Sequence, residues 1–184
     1  MTKNALIIVD IQNDFVGGTL ATDPLLSFTQ KTADWIAEHK DDYDHVVTTQ
    51  DWHIEPGDHF ENWPVHCRAD TQGAEIHSLI TDALMDTEYE CFLKGQYSDG
   101  YSGFDGVWEK DGQTGLAPWL YEREVHSVTV IGIATEHCVR ATAFDAVAEG
   151  LSTEVLRGYV NAVNDNVAND LLDNEFGLGG VKVR

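Results

Sequence analysis

Cys138 stands in a stretch whose pattern suits a nucleophile. The apolar, largely β-branched residues 128–133 predict a buried strand, and apolar residues at helical spacing follow it. Thr135 offers a hydroxyl to cap that helix, which would place Cys138 in its first turn. Unpaired backbone N–H groups and the helix dipole favour a thiolate there. The alternative for this residue alone is a buried structural cysteine.

Three further groups could support covalent chemistry at Cys138. Asp10 ends the apolar run 5–9 and could take the thiol proton, because a carboxylate in a dry pocket has a raised proton affinity. Lys94 follows the predicted strand YECFL and could hold that carboxylate. The backbone N–H groups of Ala134 and Cys138 could stabilise an oxyanion. The alternatives are a turn cap for Asp10 and an ordinary strand-end charge for Lys94.

A long loop after the second predicted strand carries candidate metal ligands. They are one carboxylate and three histidines, namely Asp51, His53, His59 and His66. The D-x-H spacing puts two ligands on the same side of an extended segment. We expect one divalent ion, and Zn, Fe and Mn all suit mixed histidine and carboxylate ligation. Surface histidines in a polar loop are the alternative.

Aromatic residues in the loops are candidates for a substrate slot. Phe15, Trp63 and Tyr101 each lie in a loop at the same predicted edge, although plain core burial is an equal alternative. We also expect Ile133 and His137, which flank the Cys138 turn, to contact substrate.

Strands alternate with helices along the chain, which predicts an α/β fold. Strands are predicted at residues 5–9, 45–49, 89–93, 128–133, 153–156 and 180–183. This order indicates a doubly wound, six-stranded, mostly parallel sheet with helices on both faces, in one domain of residues 1–184. Ligands of such sheets bind beyond the carboxyl ends of the strands. Asp10, Asp51, Lys94 and the ATEHC turn each follow a different strand, so we expect them to share one edge.

Composition limits the partners. The chain has 184 residues, 42% of them hydrophobic, and a formal net charge of −21. That charge repels phosphate backbones and anionic membranes, so we expect no nucleic-acid or membrane partner and a small-molecule substrate. Three cysteines, without an apolar leader or an apolar run of membrane length, predict a reducing cytoplasm. Oligomeric state stays open, with a homo-oligomer among the alternatives.

Several segments together resemble one enzyme family over nearly the whole chain. These segments are IIVDIQNDF, TQDWH, GDHF, WPVHC, KGQYSDGYSGFDG and GIATEHCVRATAFDA. They resemble the nicotinamidase/pyrazinamidase branch of the isochorismatase-like cysteine hydrolases. Arg68 and Asp70 depart from the family pattern after WPVHC, where relatives tend toward a small or apolar residue and a glycine.

The resemblance implies roles for the candidate residues. It implies a catalytic triad of Asp10, Lys94 and Cys138, and a cis peptide between Ile133 and Ala134 that turns both oxyanion donors inward. It also implies a metal bound by Asp51, His53 and His66, with His59 as a further ligand or an outer contact.

The implied activity is amide hydrolysis through a cysteine thioester. Nicotinamide and water would give nicotinate and ammonia, with the metal holding the pyridine nitrogen, pyrazinamide as another substrate and NAD salvage as the pathway. One alternative is a related amidase for a carbamoyl or ureido compound. Another, from a different class, is a thiol redox or metal-sensing protein without turnover. Plain isochorismatase activity would not require Cys138.

Overall fold

The computed structural model describes residues 2–184, and a seven-stranded sheet runs through the middle of them. The strands are β1 (Lys3–Val9), β2 (His45–Asp51), β3 (Tyr89–Lys94), β4 (Val107–Trp108), β5 (Val125–Ile133), β6 (Ser152–Asn161) and β7 (Lys182–Val183). Their order across the sheet is β4-β3-β2-β1-β5-β6-β7. Every neighbouring pair is parallel except β3 and β4. The predicted fold class is therefore confirmed, with one antiparallel edge strand added.

β1 is the strand around which the sheet is built. Its residues Ala5, Leu6, Ile7, Ile8 and Val9 have no exposed surface. Because successive strand side chains point to opposite faces, Ala5, Ile7 and Val9 join one hydrophobic core while Leu6 and Ile8 join the other. Such an unbroken apolar run is what a parallel strand covered on both faces requires.

Helices cover both faces of the sheet. They are α1 (Asn13–Val16), α2 (Ser27–His39), α3 (His59–Asn62), α4 (Ser78–Ala83), α5 (Leu116–Glu122), α6 (Arg140–Ala148), α7 (Asp165–Asp170) and α8 (Phe176–Leu178). A π-helical turn, Thr135–Val139, leads into α6, and a second, Leu171–Glu175, joins α7 to α8. α2 and α4 pack on one face, while α5, α6 and the segment from α7 to α8 pack on the other.

The side on which successive strands are added to the sheet switches between β1 and β5. From β1 the chain adds β2 and β3 on one side, and from β5 it adds β6 and β7 on the other. Gly132 has φ +128°, and a Cβ there would lie 2.1 Å from the Val9 carbonyl oxygen. Glycine thus allows the close approach of β5 to β1 at this switch point, where ligands bind in such sheets.

Three local predictions differ from the structure. The sequence missed β4, whose two residues are too few to form a recognisable pattern. It predicted only residues 153–156 of β6, because a bulge between the pairs Val130–Val155 and Gly132–Val160 breaks the alternation. The predicted cap at Thr135 is wrong, since the helical segment begins after Ala134 and no side chain caps it.

Among residues 2–184, no helix is both long enough and apolar enough to cross a membrane.

Candidate active site

Four neighbouring parallel strands deliver reactive groups to one edge of the sheet. Asp10 follows β1, Asp51 and Lys94 are the last residues of β2 and β3, and Ala134 follows β5. Because β3, β2, β1 and β5 are adjacent and parallel, their carboxyl ends meet there. Cys138 lies one turn beyond Ala134, and it completes a buried group of side chains.

Lys94 lies at the centre of this group. Its Nζ is 2.8 Å from Asp10 Oδ2 and 3.5 Å from Cys138 Sγ. It also donates to Asp51 Oδ1 and, at 2.9 Å, to the carbonyl oxygen of Gly100. The side chains of Lys94 and Asp10 have no exposed surface. A buried ammonium is tolerated only with such partners, so the two carboxylates and the lysine stabilise one another.

Burial and these charges shift the pKa values in opposite directions. Burial lowers the pKa of Lys94, but the carboxylates of Asp10 and Asp51 outweigh it and hold that pKa well above its usual value. Burial raises the pKa of Asp10 above the ordinary carboxyl value, although Lys94 opposes the shift. Burial also raises the pKa of Asp51, but Lys94 and His53 outweigh burial and lower that pKa to about 2. Asp10 is therefore the more basic of the two carboxylates.

The surroundings of Cys138 oppose the thiolate that the sequence predicted. Burial raises the pKa of the Cys138 thiol well above its usual value, and the carboxylates of Asp10 and Asp51 raise it further while Lys94 opposes them. Reactive atoms of Asp10, Asp51 and Cys138 all lie within 4.8 Å of one another. The sequence prediction weighed the helix N-terminus and left out the effect of the two carboxylates on the sulfur. Asp10 is close enough to take the proton of the Cys138 thiol.

The three loop histidines converge beside Asp51. One ring nitrogen from each of His53, His59 and His66 lies within 4.8 Å of the other two. His59 Nε2 is 3.3 Å from His66 Nε2, and Asp51 Oδ2 is 3.6 Å from His53 Nε2 and 3.9 Å from His66 Nε2. All four side chains are buried. They form a possible metal-binding group.

The other nitrogen of each ring is turned outward to an oxygen. Nδ1 of His53 lies 2.6 Å from the Gly95 carbonyl, and Nδ1 of His66 lies 2.7 Å from the Pro64 carbonyl. Since a carbonyl oxygen only accepts, each Nδ1 carries the proton and each Nε2 offers a lone pair inward. Among the described residues, the buried Nε2 of His53 has no hydrogen-bond partner. In metal centres, histidines typically direct one nitrogen lone pair at the ion and hydrogen-bond through the other ring nitrogen. This donor set therefore fits a divalent ion.

The glycine-rich loop after β3 supports this cluster, which the sequence analysis did not predict. Gly95 has φ +66°, and a Cβ there would lie 2.7 Å from Cε1 of His53. The same loop provides Asp99 Oδ1, which is 3.1 Å from His59 Nδ1. The signal in the sequence was the pair of glycines in KGQYSDG, at positions where the backbone needs positive φ.

A cavity of about 560 Å³ opens above Cys138, His59 and His66. Its lining includes all five residues predicted for the substrate slot, Phe15, Trp63, Tyr101, Ile133 and His137. Trp63 Nε1 donates to the Tyr101 hydroxyl at 3.1 Å, and the Tyr101 and His137 rings stack with centroids 5.9 Å apart. Ala134 also lines the cavity, and the peptide between Ile133 and Ala134 is cis, as expected.

Two further segments of the cavity wall were missed. Residues 19–22, after α1, and residues 161–163 with Asp165, between the end of β6 and the start of α7, complete the lining. Neither segment carries a recognisable motif, so only the fold brings them to the site. Asn161 Nδ2 donates to the Thr22 carbonyl oxygen at 3.1 Å and joins the two segments.

The departures Arg68 and Asp70 leave the histidine cluster intact. The backbone of Arg68 pairs with His53, since His53 N donates to the Cys67 carbonyl at 3.0 Å and Ala69 N to the His53 carbonyl at 2.9 Å. Asp70 is exposed and adopts φ +60°, a conformation that glycine adopts freely. The bridge holds His53 beside His66.

The chain is similar to known proteins over most of its length. The chain is 50% identical over 161 residues to the nicotinamidase/pyrazinamidase of Mycobacterium tuberculosis, and the aligned region covers 83% of each protein. A pyrazinamidase of Pyrococcus horikoshii in complex with zinc superposes with a TM-score of 0.82 at 32% identity, covering 99% of this chain and 98% of the other. The L. infantum protein PnC1 in complex with nicotinate gives a TM-score of 0.83 at 30% identity, covering 100% and 92%. The Isochorismatase domain family matches residues 4–171, and the chain belongs to that family.

Proposed function

We propose that this chain is a nicotinamidase that hydrolyses nicotinamide to nicotinate and ammonia and that also accepts pyrazinamide. The observation that carries the proposal is one cavity lined by Cys138, His59 and His66, with the Asp10 carboxylate within 4.8 Å of the thiol and His53 within 4.8 Å of the other two histidines. The similarity to nicotinamidases supports the substrate. A neutral substrate also suits a chain with a net charge of −21.

The first half of the reaction forms a thioester. Asp10 takes the proton of the Cys138 thiol, and Sγ attacks the carboxamide carbon. The N–H groups of Ala134 and Cys138 donate to the oxyanion that forms. As the C–N bond breaks, Asp10 returns the proton to the nitrogen, which leaves as ammonia.

The second half regenerates the enzyme. Asp10 takes a proton from water, whose oxygen attacks the thioester carbon. The C–S bond breaks, Asp10 passes the proton it took from water to the sulfur, and the acid product leaves as nicotinate after giving its own proton to ammonia or water. Lys94 holds the Asp10 carboxylate throughout, because its ammonium is 2.8 Å from Oδ2 and is itself fixed by Asp51.

Asp51, His53, His59 and His66 would hold one divalent ion, with zinc, iron and manganese as the candidates. When bound, the metal supplies a position for the pyridine nitrogen, so that the carboxamide is directed at Sγ. The aromatic wall of Phe15, Trp63 and Tyr101 supports this by enclosing the ring.

Ammonia release from nicotinamide tests the proposal. We expect Cys138→Ala to lower the rate by roughly a thousandfold or more, because the thioester cannot form. Cys91→Ala is the matched control, since Cys91 is also buried but lies in β3 outside the cavity. We expect Asp51→Ala and a chelator each to suppress release, and added metal to restore the chelated parent but not Asp51→Ala.

Three outcomes would contradict the proposal. Unchanged release from Cys138→Ala would exclude the thioester route. Full activity after verified removal of metal would remove the role given to the histidines. Release from ureido compounds but not from nicotinamide would assign the chain to another amidase of this family.

The proposal includes one domain of residues 1–184, supported by the single sheet, and a cytoplasmic location. The three free cysteines, Cys67, Cys91 and Cys138, suit a reducing compartment.

A further inference from the structure

The outer partner of His59 differs in kind from the partners of the other two histidines. His53 and His66 donate from Nδ1 to main-chain carbonyls, which are present whatever the side chain is. His59 Nδ1 instead lies 3.1 Å from Oδ1 of the Asp99 side chain. The orientation of this one ring therefore depends on a residue that substitution can remove.

The tautomer of His59 decides whether a cation fits the cluster. A neutral imidazole carries its proton on one nitrogen only. If His59 carried it on Nε2, the hydrogen would point toward His66 Nε2, 3.3 Å away, and would occupy the space among the ligand atoms. A carboxylate at Nδ1 only accepts a hydrogen bond, so it keeps the proton on the outer nitrogen.

Asp99 is itself well placed for this task. It lies in the loop after β3, and the next residue, Gly100, is anchored through its carbonyl oxygen to Lys94 Nζ at 2.9 Å. Its side chain is 62% exposed, whereas that of His59 is 3% exposed. Replacing Asp99 therefore opens no cavity in the core.

We propose that Asp99 is a positioning residue that holds the inward Nε2 lone pair of His59 and thereby sets the affinity of this chain for its metal. The inference rests on the metal-binding part of the proposed function. Asp99 acts through His59 and does not contact the substrate position.

Zinc affinity, measured by competition with a chromophoric chelator, tests the inference. We expect Asp99→Ala to weaken zinc binding about 10- to 100-fold, the usual effect of losing an outer partner of a metal-bound histidine. Asp99→Asn keeps an oxygen acceptor, so its loss should be smaller than that of Asp99→Ala. Asp58→Ala is the matched control, because Asp58 is exposed, adjoins His59 in the chain and removes the same charge. It should bind zinc within about twofold of the parent.

Nitrogen NMR of the metal-free protein gives a second readout that a purely structural role would not change. We expect the His59 ring to carry its proton on Nδ1 in the parent and in Asp99→Asn, and to become a mixture of tautomers in Asp99→Ala. At saturating zinc, ammonia release by Asp99→Ala should return to the parental rate.

The outcomes separate this inference from the proposed function. A parent that binds zinc while Asp99→Ala binds it equally well would overturn the inference and leave the function standing. An equal loss in Asp58→Ala would also overturn it, since net charge would then be the cause. A parent that binds no zinc, iron or manganese would overturn both the metal role and this inference.

Discussion

At the scale of single residues, Lys94 links two kinds of chemistry. Its ammonium contacts Asp10, the proposed base, and Asp51, a proposed metal ligand. All three side chains are buried, and a buried charge whose partner is removed is strongly destabilising. We therefore expect Lys94 to contribute both to stability and to placing the proposed base.

We expect Lys94→Met to lower the free energy of unfolding of the metal-free protein by about 3–5 kcal/mol and to abolish ammonia release. The physical reason is that two buried carboxylates then lose their only ammonium partner among the described residues. Urea denaturation in the presence of a chelator gives the first quantity and the nicotinamide assay gives the second.

The double variant Lys94→Met/Asp10→Asn separates charge from packing. It buries one carboxylate fewer, so it should recover part of the stability while staying inactive. Lys110→Met, which removes an exposed pair with Glu90, should change the free energy of unfolding by less than about 1 kcal/mol. A double variant no more stable than Lys94→Met would show that unpaired charge is not the cause.

At the scale of elements, the turn that carries Cys138 is fastened to the opposite wall of the cavity. Oε1 of Glu136 accepts hydrogen bonds from Val163 N at 3.0 Å and Asn164 N at 2.6 Å. Val163 lines the cavity, so this carboxylate fixes the distance between the nucleophile and the far wall.

We expect Glu136→Ala to raise KM for nicotinamide about 5- to 30-fold with a smaller fall in kcat. The loss of these hydrogen bonds to a charged acceptor should destabilise the ordered position of that wall by about 1–2 kcal/mol. Cys138 and Asp10 are not altered. Steady-state kinetics measures the split, and amide hydrogen exchange of Val163 and Asn164 should become faster.

Two variants control for this effect. Glu136→Gln keeps a carbonyl oxygen and should fall between the parent and Glu136→Ala. Glu175→Ala removes an equal charge from a half-exposed pair with Arg140 and should leave KM unchanged. A fall in kcat alone, with KM and exchange unaltered, would refute the role of Glu136 as a fastening for the wall.

How far the sequence predicted the site depends on how locally each part is encoded. Asp10, Asp51 and Lys94 could be placed at one edge because each directly follows a run of strand-forming residues, and parallel strands bring such positions together. The loop that includes Val163 could not, since its position depends on β6 continuing past a bulge to Asn161. The raised pKa of the Cys138 thiol was not predicted, because its largest cause is complete burial, which depends on how the whole site packs.

At the scale of the whole molecule, acidic residues outnumber basic ones by 32 to 11. One of the eleven cations, Lys94, is buried in the site and does not offset the surface charge. The folded chain therefore carries a large repulsion between like charges at its surface, which salt would screen.

We expect the melting temperature of the metal-free protein to rise when sodium chloride increases from about 0.01 M to about 0.5 M at constant pH, because the range of the repulsion falls well below its roughly 30 Å extent at low salt. Calorimetry measures the change, and potassium chloride should give the same increase, since screening does not depend on the cation. A melting temperature that falls with either salt would contradict a net repulsive surface.

The pairing of β1 with β5 at the centre of the sheet also determines at what stage of synthesis the site can form. β1 leaves the ribosome first, yet one of its two neighbours is encoded after β2, β3 and β4. Until β5 pairs with β1, Asp10 and Cys138 are not held together, and one edge of β1 has no neighbouring strand. The reactive centre therefore assembles only when β5 pairs with β1, a long-range contact that forms late in translation. We expect a chaperone that shields exposed strands to matter most before that step.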